Sequence, residues 1–170
     1  MEKVEVTIQF NAEDLQSACK LHFFKMNPFR SRLVLILGGI LVVLGVILVL
    51  LQSMVGMITW VSWFFVVYGL LIVFYYYWRI QRMGKAAFKK LIEFHHPFTF
   101  TFNNEGVKSV GKTAKSDNVW EHYQLALIRP EMILLYPNKL RFVLLPKKYF
   151  TEEEFVQLKS WVTEKVKCKM

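Results

Sequence analysis

Six cationic side chains are the residues with the clearest chemistry in this chain. Lys147 and Lys148 form an adjacent pair after Pro146. The other four follow a long apolar segment at helical spacing: Arg79, Arg82, Lys85 and Lys89. Cationic groups bind phosphates and carboxylates, and near a membrane each attracts anionic headgroups by about 1 kcal/mol. These six residues are the candidate lipid or partner contacts, although a surface turn and a solvated helix face would explain them without binding.

The sequence contains no pattern typical of an active site. A glycine-rich phosphate loop, an HExxH helix, a GxSxG elbow and a carboxylate pair at catalytic spacing are all absent. The two long apolar segments, 33–51 and 57–78, carry no Asp, Glu, Lys, Arg or His. Ion-coupled transport usually requires at least one such residue inside the membrane. We therefore expect a non-enzymatic protein that uses no cofactor and does not transport on its own.

The adjacent histidines His95 and His96 are the feature closest to a metal site. Adjacent side chains point apart on a strand and diverge by about 100° on a helix. A zinc site would therefore need further ligands from His22, His122 or Cys19. A polar boundary beside the membrane explains the pair without a metal, and we favour that interpretation. The two cysteines are not spaced as metal ligands are, and we interpret them as reduced cytosolic thiols.

Two apolar segments, 33–51 and 57–78, dominate the sequence. Between Leu33 and Trp78 the chain has no acidic or basic residue. A helix of 19 residues is about 28 Å long, close to the hydrocarbon thickness of a bilayer. A buried helical pair is the alternative, but the rest of the chain is too short to cover it. A cleaved signal peptide is not expected, because the first segment is too long and lacks a cleavage site. The pattern predicts a transmembrane hairpin over 33–78.

Positive charge flanks the outer ends of this hairpin and is absent from its loop. Residues 1–32 hold five basic and four acidic groups, residues 79–96 hold five basic and one acidic, and Gln52–Thr59 holds neither. Because Lys and Arg beside membrane segments stay in the cytoplasm, we expect both termini to be cytoplasmic. The net charge of +9 is thus explained without nucleic acid, for which no binding module is recognisable. The predicted location is the cytoplasmic membrane, against anionic headgroups.

Small and polar residues recur every seven positions along the two segments. The first segment and its end carry Gly38, Gly45 and Gln52, and the second carries Ser62 and Gly69. Small side chains allow membrane helices to approach closely. Packing within the hairpin is the interpretation we favour, and association of two copies is the alternative.

Amphipathic patterns lie on either side of the hairpin. In the N-terminal region 1–32, Lys3–Phe10 alternates as a half-buried strand, and an amphipathic helix capped by Asn11 follows. Residues 79–97 predict a continuation of the second helix as a basic stalk that ends at Pro97. The N-terminal strand has no local partner, so we expect it to pair with strands that follow the hairpin.

From residue 98 onward the hydrophobic period changes from helical to alternating. Six short strands are predicted: Phe98–Phe102, Val107–Val110, Ser116–Trp120, Leu125–Arg129, Met132–Tyr136 and Leu140–Leu145. A helix then begins after Thr151, where Glu154 completes a capping box and Phe150 and Phe155 form a hydrophobic staple. We expect residues 98–170 to form an antiparallel β-barrel or sandwich closed by a C-terminal helix, which is a pleckstrin-homology-like architecture.

Several stretches of the chain together suggest a family. They are Ile8–Leu15 before the hairpin, Phe100–Val107 and Val119–Trp120 with Tyr123 after it, and above all Phe142–Phe150. With these motifs the chain resembles the YcxB-like family of small bacterial membrane proteins over nearly its whole length. The resemblance implies two membrane helices and a C-terminal domain related to pleckstrin-homology-like folds. It implies no activity.

The patterns together predict a non-enzymatic, membrane-anchored binding or regulatory protein of the bacterial cytoplasmic membrane. Its C-terminal domain would bind a peptide, a membrane protein or lipid headgroups. The alternative is an accessory or immunity-type subunit whose hairpin acts on a transporter or a membrane-active peptide. A small enzyme or carrier is a third class, which the missing motifs disfavour. The expected partners are the bilayer with anionic headgroups and either a membrane protein or a second copy of this chain.

Overall fold

The computed structural model describes residues 3–26, 28–56, 60–112 and 115–169. Its elements follow in this order: β1 Val4–Ile8, α1 Ala12–Met26, α2 Pro28–Met54, α3 Trp60–Lys90, β2 Phe98–Phe102, β3 Gly106–Val110, β4 Lys115–Val119, β5 Leu125–Ile128, β6 Met132–Asn138, β7 Arg141–Pro146, α4 Glu152–Lys165 and β8 Cys168–Lys169. The chain forms two compact units. We call residues 1–18 with 85–170 the β-unit, and residues 19–84 the helical unit.

Two long apolar helices make up most of the helical unit. α2 contains 27 residues and α3 contains 31, and both are long and apolar enough to cross a membrane. The predicted segments 33–51 and 57–78 fall on these two helices, except that residues 57–59 lie outside the described part of the chain. As predicted, α3 also continues past the apolar segment into the basic residues that follow it.

Small residues allow α2 and α3 to approach each other closely. A Cβ atom at Gly45 would lie 2.8 Å from a backbone nitrogen of α3, and one at Gly69 would lie 2.8 Å from the carbonyl oxygen of Gly38. These positions therefore have no room for a side chain. Nearby, Ser62 Oγ donates a 2.6 Å hydrogen bond to Gln52 Oε1. The predicted packing of small residues within the hairpin is confirmed.

The strands of the β-unit form two four-stranded sheets. The first has the order β1-β2-β3-β4 and is antiparallel throughout. The second has the order β7-β6-β5-β8, and only β8 runs parallel to its neighbour. Within the described residues no strand pairing joins the two sheets, so they do not form a closed barrel.

The N-terminal strand completes the first sheet. β1 pairs with β2 from Val4 opposite Phe102 to Ile8 opposite Phe98. The strand buries alternate residues, so Val4, Val6 and Ile8 enter the core while Glu5 and Thr7 stay exposed. The predicted pairing of this strand with those after the hairpin is confirmed, and the β-unit is assembled from both ends of the sequence.

The C-terminal helix begins where the sequence predicts it. Thr151 Oγ1 accepts a hydrogen bond from the Glu154 N–H, and the Glu154 carboxylate accepts one from the Thr151 N–H at 2.8 Å. The ring centres of Phe150 and Phe155 lie 6.0 Å apart across this box. The capping box and the hydrophobic staple are both confirmed, and they fix the angle at which α4 leaves the preceding turn.

Two features differ from the sequence prediction. α3 ends at Lys90 rather than continuing to Pro97, and a 3-10 turn follows. His95 Nε2 donates a 3.1 Å hydrogen bond to the carbonyl oxygen of Phe88, which satisfies an acceptor in the last turn of the helix. At the other end of the chain, Cys168–Lys169 forms the short strand β8 beside β5. Two residues are too few to show a period of two, so no local pattern predicts this strand.

Candidate functional site

The lysine pair lies in a 3-10 turn between β7 and α4, and both of its charges are compensated. Lys147 Nζ lies 2.8 Å from Glu152 Oε1, and Lys148 Nζ lies 2.7 Å from Asp14 Oδ1. Two lysines that each hold a carboxylate of the same unit do not form an open anion site. This geometry favours the structural interpretation of the pair.

The ion pair between Lys148 and Asp14 is unevenly buried. The Asp14 side chain is 13% exposed, whereas that of Lys148 is 47% exposed. Asp14 Oδ2 is buried and accepts no hydrogen bond from the described residues. Burial by itself would lower the pKa of Lys148, but the hydrogen bond and the charge of Asp14, together with a smaller contribution from Tyr149, raise that pKa above its ordinary value. Lys148 is thus the counter-ion of a carboxylate that water hardly reaches.

Tyr149 attaches the same turn to the end of β1. Its hydroxyl donates a hydrogen bond to the carbonyl oxygen of Gln9. Two residues further on, Asn11 Oδ1 accepts a 2.7 Å hydrogen bond from the Asp14 N–H and caps α1 as predicted. Lys148 and Tyr149 together hold the junction between β1 and α1 against the end of β7.

A tight turn between β5 and β6 lies next to the lysines. The Arg129 N–H donates a 2.9 Å hydrogen bond to the carbonyl oxygen of Met132, which closes the turn around Pro130 and Glu131. The Lys147 N–H donates another, also 2.9 Å long, to the carbonyl oxygen of Glu131. The Glu131 side chain is therefore held on a fixed backbone beside the 3-10 turn.

These segments border a groove of about 670 Å³. Met132, Pro146 and Phe150 contribute apolar surface to it, and Glu13 and Glu131 contribute exposed carboxylates. Neither of these two glutamates forms an ion pair within the described part of the chain. We call this feature the acidic groove. Lys147 and Lys148 also line it, but their charges are paired with Glu152 and Asp14. The groove thus combines an apolar floor with two carboxylates that form no ion pair in the described residues.

The four basic residues of α3 are exposed, and none of them lines the acidic groove. Arg79 and Arg82 belong to the helical unit, and Lys85 and Lys89 belong to the β-unit. The Arg82 guanidinium carbon lies 4.4 Å from the centre of the Trp78 ring, in cation–π geometry. The predicted cationic residues are thus divided between the two units, and Lys147 and Lys148 are paired with carboxylates of the β-unit.

The histidines and cysteines do not form a metal centre in the described residues. No group of three or more His, Cys, Asp or Glu there is placed to hold an ion. The His95 ring instead packs 4.8 Å from the ring of Phe88. Burial raises the pKa of the Cys19 and Cys168 thiols, which leaves less of the reactive thiolate at neutral pH.

Sequence patterns did not identify the carboxylates of the acidic groove. In the sequence, the helix dipole is a sufficient explanation of Glu13 and Asp14, and no local pattern gives Glu131 a role. The dipole argument holds, because both residues lie in the first turn of α1. Their place beside Lys148 depends on the pairing of β1 with β2, which a local pattern cannot reveal.

No protein-family model, curated protein or solved structure matches the chain. The resemblance to YcxB-like proteins and the pleckstrin-homology-like assignment therefore stay predictions from the sequence.

Proposed function

We propose that this protein is a non-enzymatic binding protein anchored in the bacterial cytoplasmic membrane. In this proposal the acidic groove binds a short segment of a partner protein that carries apolar and basic side chains. The observation on which the proposal rests is the combination of two carboxylates, Glu13 and Glu131, with the apolar surface of Met132 and Phe150. Neither carboxylate forms an ion pair with any residue that the structure describes.

Charge and shape complementarity support this choice of ligand. A Lys or Arg of the partner would form a charge-assisted hydrogen bond with each carboxylate, and neighbouring apolar side chains would be removed from water on the groove floor. The carboxylates are exposed before binding, so a basic partner would also be attracted at a distance. An anionic lipid headgroup fits this groove poorly, because Glu13 and Glu131 would repel it and the two lysines of the lining are already paired with Glu152 and Asp14.

The anchor and the fold are part of the same proposal. α2 and α3 would cross the bilayer, and the basic residues at their outer ends support a cytoplasmic location of both termini. We also assign the β-unit to the pleckstrin-homology-like architecture and the chain to the YcxB-like family. The support for that assignment is the antiparallel strands followed by one C-terminal helix, which buries Phe155, Leu158 and Val162.

A selection from random peptides tests the groove directly. Full-length protein in lipid nanodiscs would be offered a displayed library of random twelve-residue peptides, with empty nanodiscs used to remove lipid binders. We expect the selected peptides to carry Lys or Arg next to apolar residues. Glu131→Lys should then weaken the best peptide by at least about tenfold, because one attraction becomes a repulsion.

Glu121→Lys is the matched control, since it makes the same charge change at an exposed residue outside the groove. It should leave the affinity within about twofold, the change expected of a charge that contacts nothing in the complex. Selected peptides without basic residues, or equal losses in the two variants, would refute the proposed groove.

The alternative in which the hairpin acts on a transporter or membrane-active peptide is distinguished by replacing α2 and α3 with an unrelated hairpin. Retained peptide binding would assign recognition to the β-unit, as proposed here. Loss of binding with a correctly folded β-unit would assign it to the hairpin.

A further inference from the structure

The helical unit contains a second cavity, of about 300 Å³, that has no part in the proposed function. Phe23 of α1 and Val34 of α2 line it from one side, and Ile80 and Met83 of α3 line it from the other. Its size is at the lower end of ligand sites. The cavity lies where the apolar part of α3 gives way to its first charged residues.

Two polar side chains interrupt the apolar lining of this cavity. The Arg79 side chain contributes to it and forms no ion pair within the described chain. The Tyr76 hydroxyl is buried and has no hydrogen-bond partner in the same residues, although its ring packs 5.8 Å from that of Phe23. A buried hydroxyl without a partner is unusual in a folded protein and indicates that something else satisfies it.

We infer that this cavity binds one anionic phospholipid. The phosphate would accept hydrogen bonds from the Arg79 guanidinium and the Tyr76 hydroxyl, and the first part of an acyl chain would lie against Val34 and Ile80. The inference rests on the membrane location in the proposed function, but it concerns a different site from the acidic groove and does not depend on what that groove binds.

The geometry favours a lipid over free phosphate. Arg79 is the first charged residue after the apolar segment, so in a membrane it lies at the depth of the headgroups. An apolar cavity beside such a residue offers free phosphate nothing beyond the hydrogen bonds, whereas a lipid also buries hydrocarbon there. Basic pockets between helices on the cytoplasmic side are typical binding places for anionic lipid headgroups.

Native mass spectrometry of the full-length protein in detergent micelles tests the site. Phosphatidylglycerol, phosphatidylcholine and inorganic phosphate would be titrated separately, and the dissociation constant would be read from the fraction of protein carrying one adduct. We expect a single phosphatidylglycerol that binds at least about tenfold more tightly than phosphatidylcholine, and no saturable adduct with inorganic phosphate.

The variants separate a site from general attraction. Arg79→Gln should weaken phosphatidylglycerol by about tenfold and Tyr76→Phe, which removes only the hydroxyl, by about threefold. Arg82→Gln is the control, because it removes the same charge three residues away. The Arg82 guanidinium stacks on Trp78 and does not line the cavity. This variant should change the affinity by no more than about twofold to threefold, which is the effect of one distant charge. Equal losses in Arg79→Gln and Arg82→Gln, unchanged binding in Tyr76→Phe, or equal binding of the two lipids would overturn the inference.

Discussion

Lys148 Nζ lies 2.7 Å from Asp14 Oδ1. This ion pair joins the turn after β7, which contains Lys148, to the first turn of α1, which contains Asp14. The whole hairpin separates these residues in the sequence, yet both belong to the β-unit. The pairing of β1 with β2 brings the two segments together, and the ion pair then holds the first turn of α1 in place. The hairpin therefore interrupts a domain instead of preceding one.

Replacing Lys148 should loosen the junction between β1 and α1. Lys148→Met would leave the largely buried Asp14 carboxylate without its counter-ion, at a cost of about 1–3 kcal/mol. Amide hydrogen exchange over residues 11–18 measures this directly. We expect exchange there to be about fivefold faster or more, the factor that corresponds to 1 kcal/mol.

Lys147→Met is the matched control, because its partner Glu152 is 74% exposed and such a pair contributes about 0–1 kcal/mol. The double variant Lys148→Met with Asp14→Asn should recover part of the protection, since the uncompensated charge is gone. Equal effects of the two lysine substitutions, or a double variant worse than Lys148→Met, would show that burial of Asp14 does not govern the junction.

The same ion pair predicts a dependence on alkaline pH. The pKa of Lys148 is raised in the folded protein, so the folded state holds its proton more tightly than the unfolded state. The stabilisation is complete below the ordinary lysine pKa of about 10.4 and is lost as the pH rises through the higher folded value. We expect the difference in melting temperature between the parent protein and Lys148→Met to stay constant from about pH 7 to 9.5 and to shrink above about 10.5.

A second raised pKa does not disturb this comparison. The hydrogen bond that Lys108 donates to Asp117 raises the pKa of Lys108, but that pair is present in both proteins and cancels in the difference. A difference that already shrinks at neutral pH would contradict the assigned role of Lys148.

Local chemistry explains which parts of the fold the sequence could predict. Phe98–Phe102 alternates phenylalanine with threonine and forms a strand with those bounds, and the box of Thr151 and Glu154 marks the start of α4. The ion pair between Lys148 and Asp14 has no such signal, because it requires the pairing of segments that are remote in the sequence. The same holds for the cavity at Arg79, which needs residues from three helices.

Gly69→Ala should destabilise the contact between α2 and α3. The added Cβ would lie 2.8 Å from the carbonyl oxygen of Gly38, and a backbone atom cannot move aside as a side chain can. We expect a loss of about 1–3 kcal/mol, as for other overpacked contacts. Unfolding with increasing mole fraction of sodium dodecyl sulfate, followed by tryptophan fluorescence, measures it.

Gly39→Ala makes the same chemical change on α2 where nothing lies within 4 Å of the new atom. It should be neutral or slightly stabilising, because alanine is the better helix former. If Gly69→Ala instead abolished a dimer and left the stability of the monomer unchanged, these glycines would serve self-association.

The start of α4 offers a test of the capping box. Thr151→Ala removes the acceptor of the Glu154 N–H and should cost about 1 kcal/mol, whereas Thr151→Ser keeps the hydroxyl and should cost much less. Exchange of the amides over residues 152–155 reports the change. Thr163→Ala, in the last turns of the same helix, is the control and should leave these amides as they are. Loss of protection in the control would assign the effect to the whole helix.

The β-unit also limits how the chain can cross a membrane. Because β1 and β2 pair in one sheet, the segments before and after the hairpin must lie on the same side of the bilayer, which requires an even number of crossings. Two helices that could span a membrane meet this condition. The sheet does not determine which side that is, and the excess of Lys and Arg at residues 79–96 predicts the cytoplasm.

Reporter fusions test both statements separately. Green fluorescent protein should fluoresce at either terminus, and alkaline phosphatase should be active only when inserted beside Gly56, in the turn after α2. Termini on opposite sides would contradict the pairing of β1 with β2, because one sheet cannot be assembled across a bilayer. Both termini outside would leave the sheet intact and contradict only the charge rule. The sheet and the basic residues thus make independent claims about topology, and one set of fusions can refute either without the other.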